Sequence, residues 1–132
     1  MFTIEQIKAA HSKVISGADF PNFIRDIMKL GVIGYETYVN DGHSLYFGRN
    51  GYNAGSEAKY PALTTAETSN QSLFVKTLKD HQKGHTDYLS FCRAAAEQGI
   101  EKWLVDMEQM TCTYFDKEGK EVLREEIPGR NR

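Results

Sequence analysis

Chemistry in this chain would have to come from its four histidines, its two cysteines or a pair of acids, and each set can be tested by its spacing. His81 and His85, in "HQKGH", stand at i and i+4, the spacing that aims two imidazoles at one metal from a single helix face. Gly84 interrupts that face as a helix stop and swings His85 away, and no HExxH glutamate accompanies the pair. Asp80 and Asp87 add oxygen, yet the spacing specifies two ligands where a zinc site needs roughly three or four. The group therefore reads as a solvated helix-helix turn, and neither a metal nor a cofactor is expected.

His43 follows Asp41-Gly42 inside "YETYVNDGHSLYFG", and an Asp-Gly pair is what a two-residue type I′ turn favours. Such a turn opposes Asn40 to His43, Tyr38 to Leu45 and Glu36 to Phe47 on one face, with Tyr35, Thr37, Val39 and Tyr46 on the other. Glu36 and His43 then lie about 14 Å apart at the rise of a strand, too far for a hydrogen-bonded acid-base pair. His11 falls in the apolar stripe of the first helix and reads as a satisfied, partly buried side chain.

Folding "KWLVDME" onto "TCTYFD" about Gln109-Met110 places Trp103, Val105, Met107, Cys112 and Tyr114 on one face, so Cys112 reads as a small core hydrophobe. Cys92 follows Leu89 on a helix, and local spacing sets no histidine beside either thiol. The opposite face carries Asp106, Glu108, Thr111, Thr113 and Arg124; alternating acids on one strand face mark a solvent side, with Arg124 balancing them. "GRNGYNAG" lacks the Lys-Ser/Thr of a phosphate loop and opens no helix.

The elements that must position these residues are legible from caps and periodicity. Thr3 and Gln6 have capping-box spacing, with Phe2 and Ile7 at the staple positions, so a helix begins at Ile4; its stripe is Ile4, Ile7, His11, Val14, and Gly17 can end it. Asp19 offers a second N-cap, Pro21 falls in the first turn, Phe20, Phe23, Ile24, Ile27 and Leu30 share a face, and Gly31 stops the helix. The hairpin follows. Residues 48–68 are rich in Gly, Asn and Ala, with "YPALTTA" able to supply a short edge strand, and a long irregular segment of this kind is itself a candidate site. Ser69 or Asn70 caps a third helix, Thr86 a fourth that ends near Gly99, and a three-stranded meander turns at Glu118-Gly119. Strands and helices in separate runs predict an α+β fold: a hairpin and a three-stranded meander in one antiparallel sheet, packed against about four helices. Residues 1–127 are expected to form one domain and 128–132 a frayed tail.

Composition excludes whole classes of function. A hydrophobic share of 40% against 26% charged is the balance of a folded globular chain. The 16 basic and 18 acidic residues are interspersed, so no nucleic-acid partner is expected. No apolar run reaches the roughly 20 residues of a membrane helix, and the start "MFTIEQIKAAHSK" lacks a signal peptide's apolar centre, so no membrane association and a cytoplasmic location are expected.

The stretches "YETYVNDGHSLYFG", "TDYLSFC" and "GIEKWLVDMEQMTCTYFDKEGKEV", with "HSKVISGADFPNFI" near the start, resemble the YbcV-like family of small bacterial and prophage-borne domains of unknown function, some labelled phage envelope proteins. The resemblance implies one compact domain associated with mobile elements and supplies no catalytic residue.

The expected function is binding without catalysis, of a small molecule or a protein partner, at the mixed hairpin face and the segment after it: Tyr38, His43, Tyr46 and Tyr52 are the candidate contacts. Tyrosine suits such half-wet apolar surfaces. Self-association through a sheet edge or hairpin face is the accompanying expectation. The competing reading is a small hydrolase or metal-assisted enzyme assembled from His43, His81, His85 and distant carboxylates, and a third is a structural or regulatory prophage protein.

Overall fold

The computed structural model of the chain describes residues 2–14 and 19–127. They form helices α1 (Ile4–His11), α2 (Phe20–Leu30), α3 (Gln71–Gln82) and α4 (Tyr88–Glu97), and strands β1 (Gly34–Tyr38), β2 (Ser44–Phe47), β3 (Asn53–Gly55), β4 (Lys102–Asp106), β5 (Thr111–Phe115) and β6 (Glu121–Glu126). The helix stop expected at Gly17 and the tail from residue 128 lie outside the described residues.

Helix starts follow the local chemistry closely. The Thr3 hydroxyl accepts from the Gln6 N–H at 3.2 Å while Gln6 Oε1 accepts from the Thr3 N–H at 2.9 Å, the reciprocal pair that satisfies two orphan donors of α1. α2 has Pro21 in its first turn, buries Phe23, Ile24 and Ile27, and is closed by Gly31 at φ +106°. Asn70 caps α3 by accepting from the Leu73 N–H. The cap of α4 is Asp87 rather than Thr86: the Asp87 carboxylate accepts from the Ser90 N–H at 2.8 Å, whereas the Thr86 hydroxyl is engaged with the His81 ring. A carboxylate at the positive end of a helix outcompetes a hydroxyl already committed elsewhere.

All six strands form one antiparallel sheet in the order β3-β2-β1-β4-β5-β6, so the hairpin and the meander meet at the β1/β4 pair. Tyr35 pairs with Tyr46 and Val105, Thr37 with Ser44 and Trp103, and Trp103 with Tyr114, which puts these side chains on one face. α2 meets that face through Phe23 on Tyr35, α4 through Phe91 on Trp103, and α3 through Phe74 on Tyr114. Both helical pairs therefore cover the same side of the sheet. Trp103, Val105, Met107, Cys112 and Tyr114 are all buried, as the alternation of the meander requires.

Two local expectations are corrected. The β1–β2 connection is a four-residue loop, 39–42, closed by Gly42 N–H on Tyr38 O and by Tyr38 N–H on His43 O, not a two-residue turn at Asp41-Gly42. Partners shift by two residues, so Tyr38 lies opposite His43, but a shift of two leaves every side chain on its assigned face. The edge strand is Asn53–Gly55, paired with β2, and "YPALTTA" joins no ladder. Its backbone donors are spent elsewhere: Leu63 N–H donates to Asn40 O and Ala66 N–H to Ala96 O. Among the described residues no helix is long and apolar enough to cross a membrane.

Candidate functional site

Between the sheet and the helices lies a cavity of about 90 Å³. Its floor is polar at the centre and aromatic at the sides. Thr37 and Ser44, 2% and 1% exposed, pair their hydroxyls at 2.7 Å, while Tyr35 and Tyr46 flank them with ring centroids 5.1 Å apart. Phe20 and Phe23 of α2 and Tyr88 and Phe91 of α4 wall it, and His11, His81 and Lys59 reach it from α1, α3 and the segment after β3. An outer chamber of about 240 Å³ lies against it, bounded by Lys8 and Ser12 of α1 and by residues 56–59; His11, Tyr46 and Lys59 line both. No Asp or Glu lines the inner chamber among the described residues.

The two histidines here are held toward the neutral form. Burial lowers the pKa of His11, with the Lys59 charge adding to it, and the ring lies edge-on to Phe23 at 5.2 Å. Burial likewise lowers His81, against smaller opposing contributions from Thr86 and Asp87; its ring stacks on Phe91 at 4.4 Å, and its Nδ1 meets the Thr86 hydroxyl at 3.1 Å. Lys59 is an exposed residue whose side chain lines the cavity, with its Nζ over the Tyr88 ring, 5.5 Å from the centroid. Desolvation there lowers its pKa, Lys8 lowers it further, and Cys92 works in the opposite direction.

The thiols are not poised as nucleophiles. Burial pushes Cys112 up to about 12, and it pushes Cys92 up as well, although hydrogen bonds with the Tyr60 and Tyr88 hydroxyls offset part of that rise. Phenol groups are similarly held protonated: burial raises Tyr35, Tyr46, Tyr60 and Tyr88. The cavity is thus a set of neutral donors and acceptors on aromatic walls, with one amine at its mouth.

The hairpin loop places that amine. Asp41 O takes the Lys59 N–H at 2.7 Å, Val39 O takes the Tyr60 hydroxyl at 2.5 Å, and Asn40 O takes the Leu63 N–H at 2.6 Å. Ser56 binds both the N–H and the C=O of Ser44 at the other end. Residues 56–63 are therefore strapped across the hairpin by backbone contacts together with the Ser56 and Tyr60 hydroxyls. Gly42, at φ +78°, is required where the strap passes, because a Cβ there would stand 2.7 Å from the Tyr60 ring.

Of the four contacts expected from sequence, Tyr46 lines both chambers. Tyr38 and His43 stack on each other at 4.6 Å on the opposite face of the sheet, where His43 Nδ1 lies 2.5 Å from Asp41 Oδ1. Burial raises the Asp41 carboxyl, but the backbone and ring hydrogen bonds from His43 outweigh it and leave the pKa below its usual value. Tyr52 packs edge-on to Phe2 and donates its hydroxyl to Phe2 O at 2.6 Å. His43, His81 and His85 occupy three different settings: the hairpin loop, the inner chamber, and the exposed turn past α3. Among the described residues no group of three or more His, Cys, Asp or Glu is arranged to hold a metal.

Sequence reasoning did not single out Lys59, and it read His11 as a packing residue. The available signal was the irregular segment 48–68 itself, flagged as a candidate site by its length and containing Lys59. A family model described as "Protein of unknown function (DUF1398)" matches residues 8–126. No curated protein matches the chain.

Proposed function

The chain belongs to the family described as protein of unknown function DUF1398, and from the two-chamber cleft we propose that it binds a small planar molecule bearing an anionic or hydrogen-bond-accepting group. The observation that carries this reading is the convergence of His11, Tyr46 and Lys59 on the boundary of an aromatic-walled cavity. Ligand sites are concave, mostly apolar, and carry a few convergent polar groups. The inner chamber, about 90 Å³, is smaller than the roughly 150 Å³ that admits benzene in an apolar cavity. A bound ring therefore straddles the boundary, its body between Tyr46 and Tyr88 and its anionic group toward Lys59, Lys8 and Ser12 in the outer chamber.

Binding is favoured over hydrolysis because no carboxylate lines the inner chamber among the described residues, and Glu57, which borders the outer chamber, makes no ion pair with His11. Of the four residues first singled out, Tyr46 is the one assigned a ligand contact. The likeness to YbcV-like domains supports a place among bacterial or prophage-borne proteins.

The test uses the single tryptophan, Trp103, which lies in the cavity lining. Titration with benzoate should change Trp103 emission saturably, and the change should weaken in Lys59→Met. A flat emission curve up to the solubility limit sinks the reading.

A further inference from the structure

We propose that Lys59 is a nucleophilic amine that condenses with an aldehyde or ketone carried by the ligand, forming an imine at the boundary of the two chambers. This rests on the cleft being the ligand site and adds the chemical class of the ligand. Three geometric facts carry it. The Lys59 side chain lines both chambers, its nitrogen lies 5.5 Å from the centre of the Tyr88 ring, and among the described residues it has no carboxylate partner. A lysine with no carboxylate partner and a second cation nearby yields its free amine more readily than one on an open surface, and free amines are what carbonyl condensation requires.

The groups that face Lys59 support the same chemistry. Lys8 and His11 face it from α1, Tyr46 from β2, and Tyr88 and Cys92 from α4; Glu57, on its own segment, borders the outer chamber without pairing with it. Desolvation, the largest influence, and Lys8 favour the uncharged amine, while Cys92 acts against them. In the reaction the amine lone pair adds to the carbonyl carbon, and the carbonyl oxygen takes up a proton as the nitrogen loses one. The resulting carbinolamine expels that oxygen as water when it is protonated again, leaving a C=N bond. No electrons leave or enter, so no oxidant is needed. His11, neutral and facing the same space, is placed to carry the proton from nitrogen to oxygen.

The experiment is trapping with benzaldehyde and cyanoborohydride at neutral pH, read by mass spectrometry of peptides. Each pKa unit by which Lys59 lies below a surface lysine raises its free-amine fraction about tenfold, so benzyl label should accumulate on Lys59 ahead of the other lysines. Lys59→Arg loses the nucleophile, so the preferred label should disappear from that position while the label on the other lysines is unchanged. Label spread evenly over the lysines, with a normal benzoate response, overturns the imine and leaves the binding site standing. Absence of both the label preference and the benzoate response overturns both readings.

Discussion

The two faces of the β1–β2 hairpin carry similar residue types and reach opposite states. Outward, His43 stacks on Tyr38 and is paired with Asp41, while Glu36 pairs with Lys102 at 2.8 Å; each polar group has a local partner and solvent nearby. Inward, Tyr35, Thr37, Ser44 and Tyr46 form the floor of a cavity whose histidines, His11 and His81, pack on aromatic rings, with burial outweighing the influence of Asp87 on His81. An imidazole's chemistry is set by what packs on it. On the outside a neighbouring acid satisfies the ring; on the inside burial holds it toward the neutral form.

That contrast predicts a graded set of mutational effects. The largest is Trp103→Ala on the inner face, expected to cost about 3–5 kcal/mol because it empties a packed site. Its outward neighbour Leu104→Ala should cost about 1 kcal/mol or less, since Leu104 is half-buried on the uncovered face. Urea denaturation followed by circular dichroism measures both, and equal costs would show that the outer face is covered too.

Next comes Gly42→Ala, which couples the two faces. A left-handed conformation costs an alanine roughly 1–2 kcal/mol, and the added methyl also presses on the Tyr60 ring that holds the strap. The expected outcome is a lower Tm together with a weaker Trp103 response to benzoate. A stability loss with undiminished benzoate affinity would detach the loop from the cleft.

Acidification separates the faces by pH window. His11 and His81 have folded-state pKa values below their unfolded value of 6.5, so the unfolded chain binds more protons in that range and stability falls as pH drops from about 7 through 6.5 toward their lowered values. Asp41 contributes in the opposite manner: its lowered pKa adds stability above its unfolded value of 3.8, lost only as pH falls below that. Denaturation midpoints across this range should show the first decline disappear in the double variant His11→Gln/His81→Gln and persist in Asp41→Asn. The smallest effect is that of Glu36→Gln, which opens a partly exposed outer ion pair and should cost under about 1 kcal/mol, less at high salt; a salt-independent loss of several kcal/mol would place that pair in a buried interface.

Much of the fold could be read locally. The capping box at Thr3 and Gln6, the stop at Gly31 and the inward set from Trp103 to Tyr114 each depend on residues a few positions apart, or on strand parity, which survives even the two-residue error in the hairpin. The wrong helix cap and the misplaced edge strand have different causes: the Thr86 hydroxyl is taken by the nearby His81 ring across the helix-helix turn, whereas the backbone of residues 59–63 is taken by the hairpin loop far back along the chain. The strap containing Lys59 was visible as an irregular stretch, but its use was not.

What this sequence determined by itself is which way each side chain faces, because periodicity and capping act over one or two turns of chain. Bringing residues 11, 46, 59 and 81 around one space was decided only by the tertiary structure, since it requires four elements to pack on a common face of the sheet. No local pattern encodes a distance between segments that meet only after the chain has folded.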